Sequence, residues 1–108
     1  MPTAYKVLGQ AKPLATTDTT LYTVPAGTSA VCSTLTICNI GISTTYRVAI
    51  RPAGATLEDK HYIVYESAIN QYDTVMLTLG ITLSATDVMT VRAETATVSF
   101  NLFGSEIS

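Results

Sequence analysis

The residues best suited to nucleophilic or metal chemistry in this chain are two cysteines and one histidine. Cys32 and Cys38 lie six residues apart on one predicted strand, so their Cα atoms are roughly 20 Å apart. A disulfide needs Cα atoms within about 7 Å, so the pattern predicts two free thiols, as in a reducing compartment. Zinc sites use about four ligands, which His61 and two separated cysteines do not supply. We expect no metal, no cofactor and no Cys–His nucleophile, and we expect His61 at a strand edge or interface.

The carboxylates are scattered along the chain, at Glu58, Asp59, Glu66, Asp73, Asp87, Glu94 and Glu106. A glycoside hydrolase needs two carboxyl groups facing each other across a cleft, and the spacing indicates no such pair. Asp73 and Asp87 lie beside predicted turns, where aspartate commonly caps backbone N–H groups. The charged stretch Glu58–His61 reads as a solvated loop without the spacing of a calcium-binding loop. We therefore expect that the protein is not an enzyme, unless two of these carboxylates converge on a pocket.

Tyrosine and arginine side chains are the remaining candidates for recognition. Tyr62 and Tyr65 are three residues apart on one predicted strand, which predicts that they point to opposite faces. Arg47 and Arg51 share a face, either to pair with acidic residues of another subunit or to blunt a strand edge. Tyrosine suits a core, a subunit interface or stacking on a sugar ring. The predicted interface residues, all expected at exposed strand or arm positions, are Tyr5, Tyr22, Arg47, Arg51, Tyr62 and Arg92.

Short β-strands are the elements predicted to position these side chains. Runs of β-branched and aromatic residues alternate with turn signals such as Pro-Ala-Gly, and no stretch has helical periodicity. The predicted strands are Tyr5–Gln10, Thr20–Val24, Ser29–Asn39, Thr44–Arg51, Lys60–Glu66, Thr74–Leu83, Val88–Glu94 and Ala96–Phe103. About eight strands in 108 residues predict an all-β fold, a single β-sandwich or jelly-roll-like domain of antiparallel strands. The pattern leaves jelly-roll and immunoglobulin-like strand order open.

Alternation within the strands predicts which side chains enter the core. In the third strand Val31, Leu35 and Ile37 are predicted to face one way, and Cys32 and Cys38 the other. The sixth and eighth strands alternate in the same manner, which places one face of each in a core. Residues 1–18 contain Pro13 and a threonine-rich run, and we expect an arm there that is ordered by a partner. Residues 19–108 form the predicted β-sandwich domain.

The composition favours an associating protein. Hydrophobic residues make up 47% of the chain and charged residues only 13%, while 19 residues are threonine and the net charge is −2. Such a chain is not expected to bind nucleic acid, and no apolar run is long enough to cross a membrane. A small domain with few charges exposes apolar surface, and exposed apolar patches usually mark interfaces. We therefore expect a homo-oligomer or a component of an assembly.

Segments along most of the chain resemble one family of proteins. The run Leu21–Ala30, which contains a Val-Pro-Ala-Gly turn, resembles a segment common in small structural proteins of tailed bacteriophages. The resemblance continues through the segments Leu35–Asn39, Arg47–Gly54, Lys60–Ile63, Thr78–Leu83 and Thr97–Ile107. It covers roughly residues 20–107, and it is a pattern of strands and turns without a catalytic signature.

The resemblance implies a virion protein of the cyanophage or marine-phage type, assembled in the host cytoplasm. The implied function is a capsid decoration, or cement, protein that stabilises the head shell. The implied partners are other copies of the chain, as a trimer, and the major capsid protein or a tail protein. The alternative is a small tail, baseplate or fibre component, including a carbohydrate-binding module for host recognition.

Overall fold

Threonine and aliphatic residues alternate along the chain, and this pattern forms strands because β-branched side chains fit a pleated, half-buried surface. The structure is a computed structural model that describes residues 3–108, so the first two residues of the predicted arm lie outside the described residues. The strands are β1 (Thr3–Ala11), β2 (Thr19–Thr23), β3 (Ser29–Asn39), β4 (Thr44–Arg51), β5 (Tyr62–Ile69), β6 (Thr74–Leu83), β7 (Val88–Ala93) and β8 (Val98–Ile107). Two short 3-10 turns, Pro52–Gly54 and Asp59–His61, lie between β4 and β5.

The strands form two four-stranded antiparallel sheets that pack face to face. The first sheet has the order β1-β8-β3-β6 and the second has the order β2-β7-β4-β5. The all-β sandwich predicted from the sequence is confirmed. The chain crosses repeatedly between the sheets, and this strand order is that of a jelly roll, which resolves the choice that the sequence left open.

The core lies between the sheets and follows the predicted alternation in most strands. Val98, Phe100 and Leu102 of β8 are fully buried and alternate with partly exposed polar residues. In β6, the aliphatic side chains face the core and the residues between them are exposed. The edge-to-face contact of Tyr46 with Phe100, at a centroid distance of 6.1 Å, joins the two sheets.

β3 departs from the predicted alternation at Ser33. The strand carries one extra residue there relative to β8, and this bulge exchanges the two faces of β3, because side chains alternate with a period of two. Cys32 before the bulge and Leu35 after it are both buried. The prediction that Val31 shares the core face with Leu35 is therefore wrong. Cys32 and Cys38 lie on opposite faces, and both are free thiols.

Five of the eight strands, β1, β2, β5, β7 and β8, have bounds that differ from the predicted ones. β5 begins at Tyr62, because Asp59–His61 forms a 3-10 turn that removes Lys60 and His61 from the strand. β8 continues to Ile107, where it pairs with both β1 and β3. Residues 3–11 of the predicted arm form β1, which pairs with β8 along its length. Ordering of the arm by a partner stays a prediction.

One buried amide holds the loops at one end of the sandwich together. Asn39, the last residue of β3, is fully buried. Its Nδ2 donates to the carbonyl oxygens of Ile42, Ile69 and Asn70, and its Oδ1 accepts from the Gly41 N–H and the Thr97 hydroxyl. Three connections, β3–β4, β5–β6 and β7–β8, therefore meet at one side chain.

A carboxylate has the equivalent role at the other end. Asp87 accepts hydrogen bonds from the N–H groups of Ala53 and Ser84, both at 2.9 Å. Its backbone carbonyl accepts from the N–H of Val24. The turn-capping role predicted for Asp87 is confirmed, and Asp73 likewise accepts from the Thr74 N–H.

Candidate functional site

The outer face of the second sheet collects all three arginines of the chain. Arg47 of β4 lies directly opposite Arg92 of β7, and Arg51 follows on the same face of β4. Each guanidinium has a local partner. Arg92 lies 3.8 Å from a carboxylate oxygen of Asp18, and Arg51 donates to the Thr90 hydroxyl and to carbonyl oxygens of the turn at Pro52–Gly54 and of the residue after it. Four of the six predicted interface residues therefore share this face, since Tyr62 lies beside Arg47.

Arg47 is the centre of a stacked group that we call the arginine–tyrosine cluster: Arg47, Tyr62, Tyr65 and Glu66. The guanidinium carbon lies 4.4 Å from the ring centroid of Tyr65 and 5.8 Å from that of Tyr62. The two rings meet edge to face at 4.9 Å, and an Arg47 nitrogen lies 2.9 Å from a Glu66 carboxylate oxygen. Stacking and the ion pair therefore fix the positions of these four side chains within the chain itself.

Irregularities in β5 bring the two tyrosines of this cluster to the same face. The register between β4 and β5 shifts twice, and each time β5 contains the extra residue. Glu66 accordingly has a positive φ of 51°, which non-glycine residues seldom adopt. The prediction that Tyr62 and Tyr65 point to opposite faces is wrong, because a bulge between them changes the parity of the strand.

The charges within the cluster stabilise each other. The hydrogen bond from Arg47 lowers the pKa of the Glu66 carboxyl below its ordinary value of 4.5, with a smaller contribution from the Thr45 hydroxyl. The same bond raises the already high pKa of Arg47. Tyr62 and Tyr65 of the cluster line a surface depression together with Asp59. Aromatic faces with adjacent hydrogen-bonding groups suit a protein partner or a sugar ring.

Tyr22, predicted at an exposed interface position, is instead buried between the sheets. Only 7% of its surface is exposed, so its predicted exposure is wrong. Its hydroxyl donates to Glu106, which also pairs with the Lys6 ammonium at 2.7 Å. Burial and Glu106 raise the pKa of Tyr22, while Lys6 and then Tyr22 lower the pKa of Glu106. The three side chains connect β2 of the second sheet to β8 and β1 of the first.

The outer face of the first sheet has a different character. We define the threonine face by nine outward residues of β3, β6 and β8: Thr34, Thr36, Cys38, Met76, Thr78, Thr82, Ser99, Asn101 and Phe103. None of these side chains carries a charge. Tyr5, with 85% of its surface exposed, lies next to this face on β1. The structure thus separates Tyr5 from the predicted interface residues of the second sheet.

The candidates for catalysis have structural roles. His61 is buried in a 3-10 turn, where its Nδ1 accepts the Glu58 N–H at 3.0 Å, so its expected place at a strand edge is wrong. Burial raises the pKa of the Cys32 thiol to about 11, which keeps it protonated and unreactive at neutral pH. Among the carboxylates that a hydrolase would use, Glu66 is paired with Arg47, and Asp73 and Asp87 cap backbone N–H groups.

Residues 3–108 contain neither a cluster of metal-ligating side chains nor a long apolar helix. No group of three or more His, Cys, Asp or Glu side chains in that range is arranged to hold a metal ion. No helix in the same range has the length and hydrophobicity needed to span a bilayer.

Comparison with known proteins adds no assignment. No protein-family model matches the chain, and no curated protein matches it. The functional argument therefore depends on the two outer faces of the sandwich.

Proposed function

We propose that this protein is a structural protein of a tailed-phage virion, a capsid decoration protein that binds the assembled head shell and stabilises it. The sequence segments that resemble small phage structural proteins support this proposal. The jelly-roll strand order supports it by analogy, since viral capsid and lectin domains use the same architecture.

The observation that carries the proposal is the threonine face. β3 and β6 contain no charged residue, and the one charged residue of β8, Glu106, bonds to Lys6 and Tyr22. Burying hydroxyl groups against a partner costs much less free energy than burying charges, and a hydroxyl readily finds a new hydrogen bond. An uncharged sheet face therefore suits sustained contact with another protein surface.

The mechanism is stabilisation by binding. A protein that binds the assembled shell and not its separated subunits adds its binding free energy to the shell. Several weak contacts act together when copies of the protein are joined to each other. No catalytic step is part of this function, and assembly as a trimer stays a prediction from the sequence.

The position on the particle tests the proposal directly. We expect a small epitope tag at the C-terminus, detected with gold-labelled antibody by electron microscopy, to label the head evenly. Heads that lack the protein should also release their DNA at a lower temperature than complete heads, and added protein should restore the difference. Label confined to the tail, or heads of unchanged heat stability, would contradict the decoration role.

The arginine–tyrosine cluster favours a second candidate function, a tail or fibre component that binds host carbohydrate. Tyr65 is 58% exposed although it stacks on Arg47, so part of its surface is open to a ligand. A glycan array probed with the wild-type protein and with Tyr65→Ala tests this candidate. Tyr72→Ala is the matched control, since Tyr72 is exposed and lies outside the cluster. Glycan binding lost in Tyr65→Ala alone would favour this function over decoration.

A further inference from the structure

The two sheets have four edge strands, and three of these edges combine a bulge with a charge or with short length. Edge strands expose unpaired N–H and C=O groups, and proteins protect them with charges, bulges or short length. β1 contains Lys6 and a bulge, β2 has only five residues and a bulge, and β5 has two bulges and Glu66. β6 has ten residues without a charge or a proline.

The first half of β6 is a regular, open edge. Thr74–Thr78 pairs without interruption with β3, and the irregularity of the strand comes only afterwards, at Gly80, whose φ is +66°. Met76, at the centre of this segment, points away from the core and is 69% exposed. Val75 and Leu77 face the core but are only partly buried, because β6 has no strand on its outer side within the described sheet.

We propose that Thr74–Thr78 pairs with the same segment of a second copy of this chain, antiparallel about a twofold axis that passes midway between the two Met76 residues. In this register Val75 lies opposite Leu77 of the second copy, and Met76 lies opposite Met76. Core-facing residues then meet core-facing residues, because positions that differ by an even number share a face. The exposed Met76 side chains cover each other on the outer face.

The charges around the edge favour a second copy as the occupant. A twofold axis brings identical residues together, so any charge on the paired segment would meet a like charge. Thr74–Thr78 carries none, and the adjacent Asp73 carboxylate is engaged by the Thr74 N–H. The same operation on β1 or β5 would bring Lys6 or Glu66 close to its own copy.

The size of the contact predicts a weak dimer. A pair of five-residue segments buries less than the roughly 1,200 Å² of total surface that is typical of stable complexes. We therefore expect a monomer–dimer equilibrium that depends on concentration. The dimer would join two first sheets into one eight-stranded sheet and make their threonine faces continuous. This inference does not require the proposed virion function.

Sedimentation velocity of the full chain over a wide concentration range tests the pairing. The wild type should change from monomer to dimer with rising concentration, and Met76→Lys should weaken the dimer at least about tenfold, since two ammonium groups would meet at the axis. The matched control is Leu14→Lys, which adds the same charge at a residue with 72% exposure in the β1–β2 connection. It should leave the equilibrium unchanged.

A cysteine variant tests the twofold axis itself. Directly opposed residues of antiparallel strands have Cα atoms about 4.5–5.5 Å apart, which is within disulfide range. In a Cys38→Ser background, Met76→Cys should form a disulfide-linked dimer on mild oxidation, and Leu14→Cys should not. A monomer at every concentration, a trimer, or a dimer equally stable in Met76→Lys would overturn the proposal.

Discussion

The two outer faces of this sandwich cover the same core but differ in their polar side chains, which are charged and paired on one face and uncharged on the other. The second sheet presents three arginines, each with a partner in its own chain. The first sheet presents threonine, serine, asparagine and methionine, and none of these outward positions is charged. Charged groups that are already paired resist a new partner, because desolvating them is costly, whereas hydroxyl groups exchange water for a partner at modest cost.

Register shifts occur in both sheets, and the faces differ in what these shifts do to their outward side chains. β5 of the second sheet contains two bulges, and these assemble the arginine–tyrosine cluster by changing the parity of the strand. In the first sheet β3 and β6 are long, and β6 keeps regular pairing over Thr74–Thr78. A bulge can re-aim side chains so that they meet at one place, whereas regular pairing spaces outward side chains evenly along the strand. One face is thus suited to a local ligand and the other to an extended partner.

We expect the largest loss of stability from a substitution at Asn39, because its side chain bonds to connections of both sheets. Asn39→Ala removes an amide that makes five hydrogen bonds in a fully buried place and leaves several backbone groups unpaired. We expect the free energy of unfolding to fall by about 3 kcal/mol in chemical denaturation. Asn101→Ala, on the threonine face, is the control and should lose less than about 1 kcal/mol. Equal losses in the two variants would contradict the anchoring role of Asn39.

The second largest loss of stability is expected at the hydrogen bond from Tyr22 to Glu106, which links the two sheets. Tyr22→Phe removes the hydroxyl that donates to ionised Glu106 and should lower the free energy of unfolding by about 1.5 kcal/mol. The pKa of Glu106 is lowered in the folded state. Its contribution is therefore complete above the ordinary carboxyl pKa of 4.5 and is lost as the pH falls through the lower folded-state value.

The difference between wild type and Tyr22→Phe should consequently shrink in acid. Urea denaturation at several pH values between neutral and strongly acidic measures it. Tyr72→Phe, which changes an exposed tyrosine, is the control and should follow the wild type at every pH. A difference that is independent of pH would show that Glu106 is not the partner that matters.

A smaller effect is expected on the second sheet alone. Glu66→Gln breaks the partly exposed ion pair with Arg47, and surface ion pairs contribute little, so we expect a loss of about 0.5 kcal/mol. This loss should decrease at high salt, because salt screens the pair. Glu94→Gln, an exposed carboxylate, is the control and should have no measurable effect. A loss above about 2 kcal/mol would show that the cluster supports the fold and is more than a surface feature.

The smallest loss of stability is expected for a substitution on the threonine face. The same substitution should have the largest effect on binding to heads. Thr36 lies between Met76 and Asn101 on neighbouring strands. Thr36→Lys should change the free energy of unfolding by less than about 0.5 kcal/mol and abolish binding to heads in a cosedimentation assay. Thr20→Lys on the second sheet is the matched control. If both variants bind heads as the wild type does, the threonine face is not the contact surface.

Local patterns were sufficient to predict most strands. The bounds predicted for the third, fourth and sixth strands agree with β3, β4 and β6, because each is a run of β-branched residues between clear turn signals. The local capping bonds of Asp73 and Asp87, from the N–H groups of Thr74 and Ser84, were also predictable because they require only neighbouring backbone groups, whereas the bond from the distant Ala53 N–H to Asp87 was not. The anchor Asn39 was not predicted, because its partners come from three connections that are distant in sequence.

The errors have a common origin in strand parity. Alternation predicts the face of a side chain correctly as long as paired strands match residue for residue. The first half of β6 matches β3 in this way. Bulges at Ser33 and within β5 depend on the partner strands, so alternation placed Cys32 on the face opposite Leu35 and separated Tyr62 from Tyr65. The burial of Tyr22 likewise depends on Glu106, which lies 84 residues away in the chain.

The amino-acid sequence therefore specified an all-β sandwich, its strands, its turns and its low surface charge, because propensity, alternation and composition are local properties. The order of the strands, the separation of an uncharged face from an arginine-rich one and the open edge of β6 came only from the folded structure. These features depend on which strands pair and in which register. Pairing is decided by contacts between distant segments, and a shift of one residue exchanges the two faces of a strand.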